Sequence, residues 1–135
     1  MLDRVRLGIG PVRFDFRCDS PDERRLLQMQ ITARGAGAVV FEVSSLATQS
    51  RPEVPLLRRD APRTESVLRM CAWCKRVAMP DGVWIEVEDA IAAMNLFQAS
   101  RLPGVSHGIC EPCSEVMMEV LTGTNRAPLR AGGSR

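Results

Sequence analysis

The chain has 135 residues and a formal net charge of +2, a length that suits one domain or two very small ones. It contains no apolar run long enough to span a bilayer, and residues 1–4 lead into charge rather than into the apolar segment of a signal peptide. These features argue against a membrane protein and predict a cytoplasmic one, in which thiols stay reduced.

Arginine dominates the basic residues: seventeen of the eighteen are Arg, and Lys75 is the only lysine. A GC-rich bacterial coding bias accounts for this composition better than nucleic-acid binding does. Residues 69–122 contain four basic and seven acidic side chains, a local net charge of −3. A zinc ion with four thiolates would add about −2. Because such a region repels phosphates, a nucleic-acid partner is disfavoured.

The first half of the chain predicts three antiparallel strands with one apolar face. Residues 2–7 precede them and predict either a short strand or, the preferred interpretation, the end of a helix terminated by Gly8. Apolar residues then alternate with polar ones in three stretches, and residues 35–37 separate the second from the third as a tight hairpin. The side chains predicted to face inward are Val12, Phe14, Phe16, Cys18, Leu27, Met29, Ile31, Ala33, Val39, Phe41 and Val43.

A three-stranded sheet is only marginally stable by itself, so its apolar face must be covered. The cover could come from the rest of the chain, from a second copy of the chain, or from a segment before Met1. We therefore expect contact with a protein partner, or self-association, through the face of this sheet.

Composition divides the chain into four parts. The second part has three prolines among arginines and no usable periodicity, which predicts an extended linker or an edge segment. The last part is polar and is predicted to be disordered. The predicted organisation is a half sheet at residues 1–49, a linker at 50–67, a cysteine-containing module at 68–122 and a tail at 123–135.

Within the module, residues 80–82 (Pro-Asp-Gly) predict a hairpin turn between two short strands. Residues 86–97 predict a helix whose first turn is acidic. A loop at residues 103–108 leads to a final helix, and Pro112 suits the first position of that helix. The predicted buried stripes are Val87, Ile91, Met94 and Phe97 on the first helix, and Val116, Met117, Val120 and Leu121 on the second.

Four of the five cysteines form two Cys-x-x-Cys pairs, Cys71 with Cys74 and Cys110 with Cys113, and 35 residues separate the pairs. Four thiolates in two closely spaced pairs are what a closed tetrahedral Zn²⁺ site requires. The sequence therefore predicts a structural zinc site with these four ligands. A redox-active dithiol, or a site that holds metal only under reducing conditions, is the alternative.

For several residues near the cysteines, a structural role is a simpler interpretation than metal ligation or catalysis. His107 lies three residues before Cys110, but four cysteines already complete a tetrahedral site, so His107 is expected to support its loop or to hydrogen-bond a thiolate. Trp73 is predicted to pack against the final helix, and Trp84 to lie in the core. Helix capping and the helix dipole explain Glu86 and Glu88.

A cysteine pair, a hairpin, and a second pair at the start of a helix follow the order of a treble-clef zinc finger. Backbone N–H groups at the helix N-terminus would stabilise the thiolate of Cys113. The predicted fold class is α+β: a three-stranded antiparallel sheet, followed by a treble-clef-like zinc module with two short helices.

The stretches Cys71-Ala72-Trp73-Cys74-Lys75-Arg76, Gly82-Val83-Trp84-Ile85-Glu86-Val87-Glu88 and Ser106-His107-Gly108-Ile109-Cys110-Glu111-Pro112-Cys113 carry a resemblance. Together they resemble a poorly characterised bacterial module that ends some response regulators and PAS-type sensor proteins. Upstream, Phe14 to Pro21 with Arg24 and Arg25 resembles the later strands of a PAS-like domain, so the first sheet would be the C-terminal half of such a domain. The resemblance implies a sensory or signalling role.

Catalysis is not predicted, because the sequence shows no nucleophile–base pair and no glycine-rich phosphate loop. The predicted function is a small zinc-binding signalling or protein-interaction module. The alternative is a thiol-based redox switch that releases zinc on oxidation. A nucleic-acid-binding zinc finger ranks last because of the local charge.

Overall fold

The computed structural model describes residues 1–123, which form three α-helices, one 3-10 helix and seven strands in two sheets. The helices are α1 (Leu2–Arg6), α2 (Val87–Ala93) and α3 (Glu111–Thr122), with the 3-10 helix at Pro55–Leu57. The strands are β1 (Val12–Arg17), β2 (Glu23–Arg34), β3 (Ala38–Ser50), β4 (Arg63–Cys71), β5 (Val77–Ala78), β6 (Trp84–Ile85) and β7 (Leu102–Gly108). The α+β class is as predicted. The predicted tail, apart from Gly123, lies outside the described residues.

The first sheet has the strand order β1-β2-β3 and is antiparallel throughout, which confirms the three predicted strands. The predicted tight turn at residues 35–37 joins β2 to β3. Phe14 lies opposite Met29, and Ile31 lies opposite Phe41. Because directly opposed residues point to the same side, these apolar side chains share one face of the sheet.

Two helices cover one part of this apolar face. Val5 of α1 and Val120 of α3 pack into a buried cluster with Phe14 and Ile31. Trp73 packs against the same cluster, with its ring centroid 4.7 Å from that of Phe14 on β1. The cysteine-containing half of the chain therefore supplies part of the cover.

Four side chains that were predicted to face inward are exposed. Phe41 and Val43 remain 52% and 53% exposed, because on β3 only Val39 packs against the buried cluster. Cys18 and Ala33 are exposed because they lie at or beyond the ends of their strands. The prediction was wrong for these positions because alternation identifies the face of a strand but not the extent of its cover.

The second sheet has the strand order β6-β5-β4-β7, with β4 and β7 parallel and the other pairs antiparallel. The predicted hairpin about residues 80–82 is present as β5 and β6. The loop predicted at residues 103–108 is instead most of strand β7. This strand forms an edge of the sheet, a position that tolerates Pro103 and Gly104.

A separate hydrophobic core is formed by side chains of the second sheet, of α2 and of the segment that precedes β4. Its buried members are Val54, Leu56, Met70, Val77, Val87, Ala90 and Ile91. The stretch at residues 50–67 is therefore not a bare connection, because it contributes buried side chains and the start of β4. The helix α2 ends at Ala93, earlier than predicted, and for that reason Phe97 is 56% exposed instead of buried.

Arg17 fastens the first sheet to the cysteine-containing half. Its guanidinium donates to the carboxylate of Glu86 at 2.8 Å and to the backbone carbonyl of Cys74 at 2.9 Å. It also pairs with Asp19, whose side chain has no exposed surface. Asp19 is shared with Arg51, whose guanidinium lies 3.0 Å away. These charge-assisted contacts, shielded from solvent, hold the two halves in a fixed arrangement.

Glu86 and Glu88 are ion-pair partners of arginines. Glu86 is the N-cap residue of α2, but its side chain makes no capping hydrogen bond and instead accepts one from Arg76 at 3.2 Å. Glu88 accepts hydrogen bonds from Arg51 at 2.7 Å and from Arg24 at 3.1 Å. The capping explanation was therefore wrong for Glu86, whose carboxylate turns toward the arginines.

Candidate metal centre

Two parallel strands bring the cysteine pairs together. Cys71 is the last residue of β4, and β7 runs beside it and ends two residues before Cys110. The N–H of Ala72 donates to the carbonyl of Gly108 at 2.8 Å, just beyond the paired strands. The segment between the parallel strands β4 and β7, which contains the β5–β6 hairpin and α2, is thus a crossover connection. It places the second cysteine pair beside the first.

The first cysteine pair occupies a tight turn. The N–H of Lys75 donates to the carbonyl of Cys71 at 3.0 Å, and the N–H of Cys71 donates to the carbonyl of Arg76 at 2.8 Å. Lys75 has a positive φ of 65°, and its ammonium group donates to the carbonyl of Ala72 at 2.9 Å. The turn curls the chain so that the sulfurs of Cys71 and Cys74 reach one location.

The start of α3 presents the second pair. Cys110 is the N-cap residue, and Cys113 lies in the first turn, where unpaired backbone N–H groups favour a thiolate. Pro112 occupies the second helical position and not the predicted first one. Its missing N–H is harmless there, because the first four N–H groups of a helix have no partner within it.

The sulfurs of Cys71, Cys74, Cys110 and Cys113 all lie within 4.8 Å of one another. Those of Cys74 and Cys110, which come from different pairs, are 3.6 Å apart. A tetrahedral zinc ion with Zn–S bonds of about 2.3 Å requires sulfurs separated by roughly 3.8 Å. The four donors therefore fit the ion in both number and spacing, and the structure brings together all four cysteines predicted from the sequence.

The cluster is largely shielded from solvent. The buried members are Cys71, Cys110 and Cys113, which are 0%, 1% and 3% exposed. Cys74 is half-buried, and Trp73 and Trp84 pack against the group. Trp84 is itself half-buried and carries the guanidinium of Arg69 at 5.4 Å from its ring centroid, so it forms a wall of the site more than a part of the core.

Hydrogen bonds make one sulfur the preferred place for negative charge. Donation from Cys113 and from Cys74 lowers the pKa of Cys71 far below its usual range, and the N–H of Cys110 contributes at 3.4 Å. The same bond to Cys71 raises the pKa of Cys113 well above its usual range. Cys113 lowers the pKa of Cys74, but the bond to Cys71 and burial outweigh this and raise that pKa to about 12. A metal ion would displace these protons, since only thiolates bind it.

Positive charge lies beside the sulfurs. Burial lowers the pKa of Arg76, but the hydrogen bond with Glu86 and the charges of Glu86, Cys74 and Cys110 outweigh burial and raise it. The guanidinium therefore stays charged. A zinc ion with four thiolates carries a net charge of about −2, which a neighbouring cation partly balances.

His107 lies outside the sulfur cluster. It is exposed on β7, in register with Met70 of β4. In residues 1–123, the group of side chains close enough to share an ion consists of the four cysteines alone. A hydrogen bond from His107 to a thiolate stays a prediction.

Arg17 is the contributor to the site that sequence patterns did not reveal. Its hydrogen bond to the carbonyl of Cys74 ties the turn of the first pair to β1. In the alternating pattern of β1, Arg17 falls on the polar side, where the simplest expectation is contact with solvent. The one signal available was its place at the end of a strand, next to a turn rich in acidic residues.

Comparisons with models of known protein families, with curated proteins and with solved structures find no match to this chain. The resemblance to the bacterial module of response regulators and PAS-type sensors therefore stays a prediction. In the part of the chain that the structure describes, no helix is both long enough and apolar enough to cross a membrane.

Proposed function

We propose that the chain is a small zinc-binding protein-interaction module, in which one Zn²⁺ ion held by four cysteines joins two remote segments. The observation that supports this most strongly is the approach of the four sulfurs to within 4.8 Å of one another. Burial of three of the four supports a structural ion, because structural zinc sites are closed whereas catalytic sites keep an open position.

The arrangement of elements supports a treble-clef variant within this proposal. A cysteine turn precedes the β5–β6 hairpin, and the second pair begins helix α3, which is the treble-clef order. The parallel pairing of β4 with β7 is an addition to that order. A signalling role in a reducing, cytoplasmic setting and the absence of catalysis are parts of the same proposal, and they depend on the sequence features described above.

Metal analysis of the protein purified under reducing conditions tests the zinc site. We expect about one zinc per chain in the wild type, as one closed Cys₄ site predicts. Cys71→Ser and Cys110→Ser, one from each pair, should lose the bound zinc. Cys18→Ser is the matched control, because Cys18 is exposed and outside the cluster, and it should keep the full content. Zinc-free wild-type protein, or zinc retained by both ligand variants, would contradict the proposal.

One observation favours a second candidate function, a thiol redox switch. Cys74 is the half-buried member of the cluster, and its sulfur lies 3.6 Å from that of Cys110. Hydrogen peroxide would take two electrons from these thiolates, forming one S–S bond and two water molecules with the uptake of two protons, and the ion would be released. Peroxide titration with a zinc-sensitive dye separates the two functions: release from folded protein by mild peroxide supports a switch, whereas release only under denaturing oxidation supports a structural ion.

A further inference from the structure

The apolar face of the first sheet is covered unevenly. Ile31 on β2 has no exposed surface, yet its partner Phe41 on β3 is 52% exposed. Val43 lies on the same face and is 53% exposed. Helices α1 and α3 thus cover β1, β2 and the start of β3 near Val39, and Phe41 and Val43 form an uncovered apolar strip further along β3.

The same strand has a free hydrogen-bonding edge. In residues 1–123, β3 pairs with β2 alone, and it stands last in the strand order. With 13 residues it is about 44 Å long at roughly 3.4 Å per residue. Its outer row of N–H and C=O groups can therefore accept another extended strand over a considerable length.

The usual protections of an edge strand are largely missing from β3. Monomeric proteins guard such edges with prolines, lysines, bulges or very short strands. β3 has neither Pro nor Lys, and Glu42 is its only charged residue. The register with β2 shifts only opposite Leu26 and Leu27, so residues 38–45 form a regular edge.

We propose that β3 pairs in antiparallel fashion with β3 of a second copy, which joins two three-stranded sheets into one of six strands. The inference rests on the proposed interaction role and names its partner. Pairing of a strand with itself about a two-fold axis presents the same surface on both sides. A pairing centred on Val43 sets Glu42 against Ser44 of the second copy, and so avoids two opposed carboxylates.

The charge of the strand favours a second copy over a foreign peptide. A nearly neutral strand has no charge with which to select a peptide of opposite sign, whereas it meets its own copy without repulsion. In the same register Val43 lies opposite Val43 of the second copy, and Phe41 lies opposite Ser45 and diagonal to Val43. The exposed apolar side chains of the two copies therefore share one face. A monomer that binds foreign extended peptides is the competing outcome of the test.

Sedimentation velocity of the full, zinc-loaded chain tests the proposal with three proteins. The wild type should be a dimer, and Val43→Lys should weaken the dimer by about tenfold or more, because it places like charges across the new strand pair. Val67→Lys is the matched control, since Val67 is 63% exposed on β4 of the other sheet, and it should leave the dimer intact. A monomeric wild type, or a dimer unaffected by Val43→Lys, would overturn the proposal.

If Val43→Lys fails to fold, amide hydrogen exchange of the wild type tests the pairing of β3 with β3 instead. Exchange at residues 38–45 should slow as the protein concentration rises, and constant exchange would overturn the pairing. Zinc content, measured on the same samples, keeps the two proposals separate. A monomer with one zinc per chain contradicts only the dimer, and a dimer without zinc contradicts only the metal site.

Discussion

Arg17 connects three acceptors that belong to different parts of the chain. Its guanidinium meets the carboxylates of Asp19 and Glu86 and the carbonyl of Cys74. Its side chain is only 10% exposed, so these contacts are shielded from water and from salt. A single residue of β1 thereby fixes the position of the first cysteine turn relative to the sheet.

Arg17→Met should lower the free energy of unfolding by about 2 kcal/mol, because charge-assisted hydrogen bonds shielded from solvent are lost while Asp19 keeps Arg51 and Glu86 keeps Arg76 as partners. Arg13→Met makes the same change on the same strand. Because Arg13 is exposed and, among residues 1–123, bonds only to the side chain of Gln30, its loss should cost less than about 1 kcal/mol. Urea unfolding of the zinc-loaded proteins measures both values. Equal losses in the two variants would show that Arg17 does not hold the halves together.

Glu88 should make stability depend on pH. Burial raises the pKa of Glu88, but a hydrogen bond with its own backbone and bonds from Arg51 and Arg24 outweigh burial and lower it. A group with a lowered folded-state pKa stabilises the protein above its unfolded pKa of about 4.3, and the contribution is lost as the pH falls through the folded value.

The melting temperature of Glu88→Gln should therefore lie below that of the wild type at neutral pH, and the difference should shrink below about pH 4. Glu65→Gln is the control, because Glu65 is exposed on β4, and it should match the wild type at both pH values. A difference between Glu88→Gln and the wild type that grows on acidification would refute this assignment. Comparing variants at each pH removes the effect of zinc loss, which all of them share.

At the scale of elements, α3 has two tasks at opposite ends. Its first turn presents Cys113 to the sulfur cluster, and Val120 near its end packs on the first sheet. Arg4 of α1 donates to the carbonyl of Leu121 at 2.8 Å and so satisfies the C-terminal end of the helix. Metal binding and the cover of the first sheet are therefore connected through one rigid helix.

Trp73 makes the corresponding link from the first cysteine pair. Its ring meets Phe14 and Phe16 edge-on, with centroids 4.7 Å and 6.4 Å away. Trp73→Ala should cost about 3 kcal/mol of unfolding free energy, as truncations of packed aromatic residues do. Phe97→Ala is the control, and since Phe97 is 56% exposed it should cost less than about 0.5 kcal/mol. Similar small losses in both would mean that the sheet and the cysteine turn are not packed together.

Local patterns were sufficient for some elements and insufficient for others. The alternation of β1 and β2 and the hairpin at residues 80–82 depend on residues close in sequence, and these predictions were confirmed. The clustering of the four cysteines was confirmed too, whereas the binding of zinc to them stays a prediction. The pairing of β4 with β7 joins segments about 40 residues apart, and Pro103 and Gly104 hide the strand. Likewise, nothing near Val54 in sequence shows that it enters a core formed by α2.

At the scale of the whole molecule, strand β4 and helix α3 connect the sulfur cluster to two small cores. One core lies between the first sheet and helices α1 and α3, and the other lies under the second sheet and α2. Neither core alone is large, and domains with such small hydrophobic cores usually need a metal or another crosslink for stability. Zinc held between Cys71 and Cys110, on β4 and α3, would stabilise both cores at once.

X-ray absorption at the zinc edge of the purified protein is the most direct test of this account. Four sulfur neighbours at about 2.3 Å, with one ion per chain, are the predicted result. Nitrogen or oxygen neighbours at about 2.0 Å in place of a sulfur would contradict the four-cysteine site, and so would the absence of zinc from a folded, reduced protein.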